Sequence, residues 1–335
     1  MGNVTIYDIA KALDVNPSTV NRALSEKKGV GDALRARIIS YAREAGYRTN
    51  PAARSLNRSL KIGFVMQHTV PAFEQQLLKG VEAAYTELAG MNVTLDTRLT
   101  QTWEEYEQAC VELCDARVDA ILTLPVRTGC LGNLCHMLSE SNIAIGTVVS
   151  DVSPAQRLFT VHLDGDTTGQ VAAELLHRFS GGGKTAVFTG DTDISIHRDI
   201  QGGFLRFSDR RLDVAAIYTD TTDPEEARRN AKRMLREQSD VKGIFIGTAN
   251  SIPVCEEIEA SGRPIQIIAM DVFPEVEAYL RRGVISALLY QQPYFQTYTA
   301  LWNMVKFLYG YAVPRDMIIQ PQVVLQSNID AWTRQ

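Results

Sequence analysis

The sequence predicts an all-α helix-turn-helix domain at the N-terminus, joined by a short linker to an α/β body of two doubly wound parallel-sheet subdomains. Three observations predict it. Residues 1–45 place apolar side chains at helical spacing. From residue 61 onward, short apolar runs alternate with longer amphipathic stretches, the signature of βαβ units and parallel sheets. The charge is also divided. Residues 1–60 hold ten basic and five acidic side chains, the remainder 24 and 34, within a net charge of −5. A basic head on an acidic body is expected when one domain meets a polyanion and the other must not.

At roughly 150 residues per domain, the 335 residues allow two or three domains. Apolar residues at 45% and charged residues at 22% give material for a buried core and exclude disorder. No stretch approaches the ~18 consecutive apolar residues of a membrane span. The opening Met-Gly-Asn-Val-Thr-Ile-Tyr-Asp lacks a basic and an apolar leader region, so a soluble, cytoplasmic chain with no membrane partner is expected. The five cysteines (Cys110, Cys114, Cys130, Cys135, Cys255) form no C-x-x-C. Their spacing is wrong for zinc, so reduced thiols are expected, with no metal and no cofactor.

The first helix should carry Ile6, Ile9, Ala10 and Leu13 on one face. After a turn at Asp14-Val15, Asn16 caps a second helix and Pro17 takes its first position, where a missing N–H costs nothing. Val20, Ala23 and Leu24 face inward, leaving Ser18, Asn21 and Arg22 outward. A third helix from Asp32 to Ala45 uses Leu34, Ile38, Ile39 and Ala42, with Gly46 as its stop. Two short helices braced by a third form a helix-turn-helix unit. Small hydrogen-bonding groups and a guanidinium suit base edges in the major groove, while Tyr7, Thr19 and the helix N-termini suit phosphate oxygens. A three-helix protein-interaction module is the alternative, and the basic charge weighs against it.

Residues 49–60 form the linker. The segment from Asn50 to Leu56 is too short for a stable helix in water and should order only with external support.

The runs TIYDIAKALDVNPSTVNRAL and GYRTNPAARSL resemble the DNA-binding head of the lactose-repressor (LacI) family of bacterial transcription regulators. That family reads T-I-x-D-[IV]-A-x-x-[AL]-G-V-S-x-x-T-V-S-R-x-L, then G-Y-x-P-N-x-x-A-R-x-L. The matches include Thr5, Asp8, Val15, Thr19, Arg22, Tyr47, Asn50, Ala53, Arg54 and Leu56. Asp14 replaces the turn glycine, and Asn16 and Asn21 replace serines. The resemblance implies a homodimer gripping a double-stranded, pseudo-palindromic operator. Its DNA contacts would come from Thr5, Tyr7, Pro17, Ser18, Thr19, Asn21 and Arg22 in the head. It also implies that Asn50, Ala53, Arg54 and Leu56 lie at the minor groove, with Leu56 wedged between base pairs. A plain linker whose Leu56 packs on the body is the other reading.

In the body, strands are expected near residues 62–66, 93–95, 120–124, 143–149, 186–189, 215–218, 243–246, 265–270 and 285–289. Helices are expected near 74–88, 103–116, 167–179, 224–236 and 295–309. Ligands of such sheets bind beyond the carboxyl ends of the strands. Just past those ends stand Gln67, Phe73, Pro125, Arg127, Ser150 and Asp151, then 191–198, Asn250, Asp271 and Gln291. A ring with amides, carboxylates and an arginine is equipment for a polyhydroxylated ligand. Nothing there is an activated nucleophile, so an enzyme is not expected. Gly181-Gly-Gly-Lys-Thr185 fails the phosphate-loop pattern because Arg178 stands where it needs glycine. It reads as a helix-to-strand turn.

The body resembles the effector domains of the same family, which share the fold of periplasmic sugar-binding proteins (type I). Asp271 in IIAMDVFPEV, Asn250 in GTANS and Gln291 in YQQP match hydroxyl-binding positions of that group. His197-Arg198 lies where the family has H-R-x-R-x-x-G-F, and Ile200 takes the place of the second arginine. Phe73 falls at an aromatic ring position. The implied ligand set is Phe73, Asp151, His197, Arg198, Asn250, Asp271 and Gln291, for a sugar-like small-molecule effector, with a purine or nucleoside as runner-up. The implied domains are a head at 1–48, one subdomain at 61–160 plus about 291–320, and another at 161–290 plus about 321–335. A transporter's solute-binding component shares the body, but not residues 1–60.

Overall fold

A computed structural model describes residues 4–24, 29–45, 47, 59–125, 138, 140–219 and 223–333. The expectations for Gly46, Asn50, Ala53, Arg54, Leu56, Arg127, Cys130 and Cys135 fall outside the described residues. The chain forms two compact units, one up to residue 57 and one from residue 58.

The first unit holds helices α1 (Ile6–Leu13), α2 (Pro17–Leu24) and α3 (Asp32–Glu44). Ile9, Ala10 and Leu13 meet Val20, Ala23, Ile38 and Ala42 in one small core. Thr5 and Asp8 close a capping box at the start of α1, the Thr5 N–H donating to Asp8 Oδ2 at 2.8 Å. Asp14 ends α1 with φ +52°, a left-handed conformation that glycine prefers and Asp tolerates. Asn16 Oδ1 accepts the Ser18 N–H at 2.9 Å and caps α2. Arg35 Nη1 reaches the Ala23 carbonyl at 3.2 Å, tying α3 to the end of α2.

The second unit contains two six-stranded sheets, its elements numbered in chain order. The first sheet uses β1 (Leu60–Gln67), β2 (Val93–Thr100), β3 (Ala120–Thr123), β4 (Ala144–Val148), β5 (Phe159–Leu163) and β11 (Asp316–Ile319). Their order is β2-β1-β3-β4-β5-β11, all parallel. The second uses β6 (Lys184–Thr189), β7 (Asp213–Thr219), β8 (Gly243–Ile246), β9 (Gln266–Met270), β10 (Ala287–Tyr290) and β12 (Gln322–Val324). Here the order is β7-β6-β8-β9-β10-β12, with β12 antiparallel. Helices α4 (Pro71–Glu87), α5 (Trp103–Asp115) and α11 (Pro293–Leu308) pack on the first sheet. Helices α6 (Gly165–Ser180), α7 (Ser195–Ser208) and α8 (Pro224–Glu237) belong to the second. So do α9 (Ser251–Ser261), α10 (Pro274–Arg281) and α12 (Asp330–Thr333). The chain passes between the sheets three times: after β5, after β10 and between β11 and β12. Each sheet and its helices form one lobe.

Central strands such as β1, with burial on both faces, read as continuous apolar runs. The edge strands do not. Expected only at 93–95, β2 pairs with β1 as far as Gln67 and Thr100, although Asp96-Thr97-Arg98 in its middle is polar. Strands β5, β11 and β12 and helices α7, α9, α10 and α12 add to the expected set.

Helix α7 contains Gly202-Gly203, a poor local signal. It holds because its backbone lies directly on α6. A Cβ on Gly169 would overlap the Ile200 carbonyl, and one on Gly203 would overlap the Asp166 carbonyl. Gly181 caps α6 at φ +70°, confirming a helix-to-strand turn there. Among the described residues no helix is long and apolar enough to cross a membrane. Gly169→Ala is expected to lower the unfolding free energy of the body by about 1–3 kcal/mol through overpacking. Gly90→Ala, with open space around its Cβ, should stay within roughly 0.5 kcal/mol. Urea unfolding of both variants checks this.

Candidate functional site

Two surfaces carry chemistry. On the head, the buried edge of α2 is Val20 and Ala23, so Ser18, Asn21 and Arg22, three and four residues apart, share the exposed face. Thr5, which caps α1, and Tyr7, in its first turn, are exposed, Tyr7 to 75%, while Pro17 and Thr19 are half-buried. The Ser18 hydroxyl is turned back onto Asn16 Oδ1 at 2.8 Å.

In the body, a cavity of about 290 Å³ opens between the two lobes, at the small end of the usual range for small-molecule sites. Its walls come from the carboxyl ends of both sheets. From the first lobe come Gln67 to Val70 after β1, Phe73 on α4, Leu124 after β3, and Val149 and Ser150 after β4. From the second come Asp191 and Ile194 after β6, Ile196, His197 and Ile200 on α7, 247–250 after β8, Met270 and Gln291. The outward placement of β2 and β7 reverses chain direction at β1/β3 and β6/β8, which leaves a crevice at each point. Three non-glycine residues beside the cavity have left-handed backbone: Val149 (φ +66°), Asp271 (φ +67°) and Gln292 (φ +58°). A β-branched residue in that region is strained, and such strain gathers at functional sites.

Among the described residues, hydrogen bonds join the lobes beside the cavity. Ser195 Oγ, at the start of α7, accepts the Asp151 N–H at 2.8 Å and lies 2.9 Å from Ser150 Oγ. Gln76 on α4 donates to the Val272 carbonyl at 2.8 Å and accepts the Tyr290 hydroxyl at 3.2 Å.

Of the ligand residues expected from sequence, Phe73, His197, Asn250 and Gln291 line the cavity. Asp271 stands one step behind, wholly buried, its Oδ2 accepting Gln291 Nε2 at 2.8 Å and its Oδ1 without a partner. Asp151 and Arg198 do not line it. Asp151 is clamped by the buried Arg157, whose Nε and Nη2 each donate at 2.7 Å, and Nη2 also reaches Asp316 at 2.6 Å. Its carboxylate is a strut. Arg198 is half-exposed and leans back to the Thr192 carbonyl at 3.4 Å; one residue along a helix is a turn of about 100° away from His197. Sequence reasoning passed over His68, Thr69, Thr248 and Met270, and named Ile194 and Ile196 only within the segment 191–198, without giving their apolar wall a role. Their position after a strand end was the available signal; being apolar, the wall read as core. No group of three or more His, Cys, Asp or Glu suited to a metal occurs among the described residues.

Burial pushes His197 below the ordinary histidine value, against the pull of the Asp191 backbone, so its ring is neutral at physiological pH. Burial pushes the Asp271 carboxyl up to about 7, with the Gln291 hydrogen bonds opposing it. The native state therefore keeps a proton that the unfolded chain releases above 3.8. This stabilising contribution is full at acid pH and is lost as pH rises from about 4 to about 7. Relative to the parent, Asp271→Asn should gain about 1.4 kcal/mol per pH unit across that window, read by urea unfolding of ligand-free protein at several pH values. Parallel stability curves for the two proteins would place the carboxyl in solvent.

The comparisons with known proteins divide at the same boundary. Residues 5–50 match the model described as bacterial regulatory proteins, lacI family, and residues 62–312 match the periplasmic binding protein domain. The ribose operon repressor of Lactococcus lactis is 23% identical over 72% of this chain and 71% of its own length. The transcriptional repressor CytR of Escherichia coli is 25% identical over 59% of this chain and 57% of its own. Among solved structures, a glucose-galactose binding protein of Geobacillus stearothermophilus superposes with a TM-score of 0.75 at 22% identity. That match covers 81% of this chain and 99% of the other. With a helix-turn-helix head and a two-lobed body, the chain belongs to the lacI family of bacterial regulatory proteins, DNA-binding transcription regulators, and its body is a periplasmic binding protein domain.

Proposed function

We propose that this protein is a cytoplasmic, homodimeric repressor that binds a pseudo-palindromic operator and responds to a sugar-like small molecule held between its lobes. The observation that carries this reading is the presence, in one chain, of an exposed polar α2 face and a cavity at the strand ends. The body alone would serve equally well in a transport solute-binding protein; the head decides between them. The names of the two relatives, both repressors, support the sign of regulation.

Arg22 and Asn21 are assigned to base edges in the major groove, and Thr5, Tyr7, Pro17, Ser18 and Thr19 to docking on the duplex. Asn50, Ala53, Arg54 and Leu56 are assigned to the minor groove. Phe73, His197, Asn250 and Gln291, with Asp271 behind Gln291, are assigned to the effector. An effector that binds one arrangement of the lobes better than the other shifts their equilibrium, by no more than that difference in affinity. Lobe movement then favours or disfavours an ordered linker, and so operator binding.

Arg22→Ala is expected to reduce discrimination between operator and random duplex by about 1–3 kcal/mol, measured by fluorescence anisotropy at fixed salt. Undiminished discrimination would shift the recognition register off Arg22. Leu56→Ala should weaken operator binding while effector affinity, titrated without DNA, stays at the parent value. Equal operator binding by this variant removes the wedge. The function as a whole is tested by titrating the full chain on DNA from beside its own gene, with and without metabolites that raise its melting temperature. Identical affinity for every duplex under all conditions overturns it.

A further inference from the structure

The cavity departs from a site built for a fully hydroxylated or phosphorylated ligand. None of its described lining residues is a lysine or an arginine. Two arginines of the body, both described, are engaged elsewhere: Arg157 is held by Asp151 and Asp316, and Arg198 leans to the Thr192 carbonyl. His68 has Nδ1 against Glu74 Oε2 at 2.8 Å, so any charge on that ring is already balanced. His197 is neutral and Asp191 is acidic. Among the described lining residues nothing neutralises a phosphate or a carboxylate.

The second lobe supplies an aliphatic wall of Ile194, Ile196, Ile200 and Met270. Ile196, Ile200 and Met270 are 6%, 2% and 1% exposed and belong to one core cluster with Phe204 and Phe245, against which Ile194 packs. This wall is an extension of a packed core and is fixed in place by the α6–α7 contact at Gly169. Ser150, Asn250 and Gln291 provide hydroxyl-directed groups elsewhere on the lining. A ligand hydroxyl facing the aliphatic wall is stripped of water with no partner; a C–H or methyl group there is buried favourably.

Resting on the effector-responsive reading above, we infer that the effector is an uncharged deoxy sugar, whose deoxygenated edge lies on Ile194, Ile196 and Ile200 and whose remaining hydroxyls meet Asn250 and Gln291. No cation for a phosphate stands among the described lining residues. Fully hydroxylated parents are disfavoured by the wall.

The test uses full-length protein and calorimetric titration with matched pairs: D-fucose against D-galactose, L-rhamnose against L-mannose, and 2-deoxy-D-ribose against D-ribose. D-galactose 6-phosphate and D-ribose 5-phosphate complete the set. At least one deoxy sugar should bind about tenfold or more tightly than its parent, and neither phosphate should bind. Ile200→Thr puts a hydroxyl on the wall with a side chain one heavy atom smaller and should shrink that ratio to about threefold or less. Ile196→Thr repeats the measurement should the first variant fail to fold. A parent sugar or a phosphate binding as tightly as the deoxy sugar overturns the inference, as does the failure of all three deoxy sugars to bind. Operator release is read in parallel. A deoxy sugar that binds without altering operator affinity counts against the regulatory reading and leaves the ligand class standing, whereas release by a parent sugar alone does the reverse.

Discussion

A parallel sheet sheathed by helices on both faces has its strand ends as the remaining ground for polar, ligand-facing groups. Both sheets of the body obey this constraint, and both place their second strand outside the first, so that each has one crevice where the connections diverge. The lining segments of the cavity all follow strand ends or open the helices beyond them. Because the chain passes between the sheets three times, the two sets of strand ends are held to one cleft. The rest of the body serves that arrangement.

Holding the cleft in shape has local costs that the core offsets. Helices α6 and α7 touch backbone to backbone at Gly169 and Gly203, which fixes the helix carrying His197 and Ile200. Val149, Asp271 and Gln292 accept left-handed backbone where three strands deliver the chain to the cavity. Asp271 is buried without a cation beside it and answers by holding its proton near neutral pH. Charge is kept in struts such as Arg157 with Asp151 and Asp316. Among the described lining residues of the cleft there is no lysine or arginine, and Asp191 is the one carboxylate.

Much of the head was legible because its determinants are local. Asn16, Pro17 and the spacing of Ile9, Leu13, Val20 and Ile38 act within a few residues, and the helices appear within a residue or two of their expected bounds. Central strands of the body were legible for the same reason, Gly243–Ile246 to the residue. The polar middle of β2, and β11 and β12, were not: edge strands follow their neighbour's hydrogen bonds more than their own side chains. At the cavity, the sequence singled out Phe73, His197, Asn250 and Gln291 by motif and position after a strand. It did not single out Arg157, six residues from Asp151, as the clamp on that carboxylate, and the third member, Asp316, 159 residues from that arginine, lies beyond any local pattern.

By itself, then, the sequence determined the helix-turn-helix, the βα alternation, the division of charge and the identity of the polar groups available to a ligand. These depend on capping, periodicity and composition, which act over a few residues. Only the tertiary structure decided which of those groups face the cleft, that Arg198 turns away, and that Ile194, Ile196 and Ile200 form a wall of the cavity. Those outcomes depend on the pairing of distant strands and on the close approach of α6 and α7, and an apolar side chain looks the same in a sequence whether it meets its own core or a ligand.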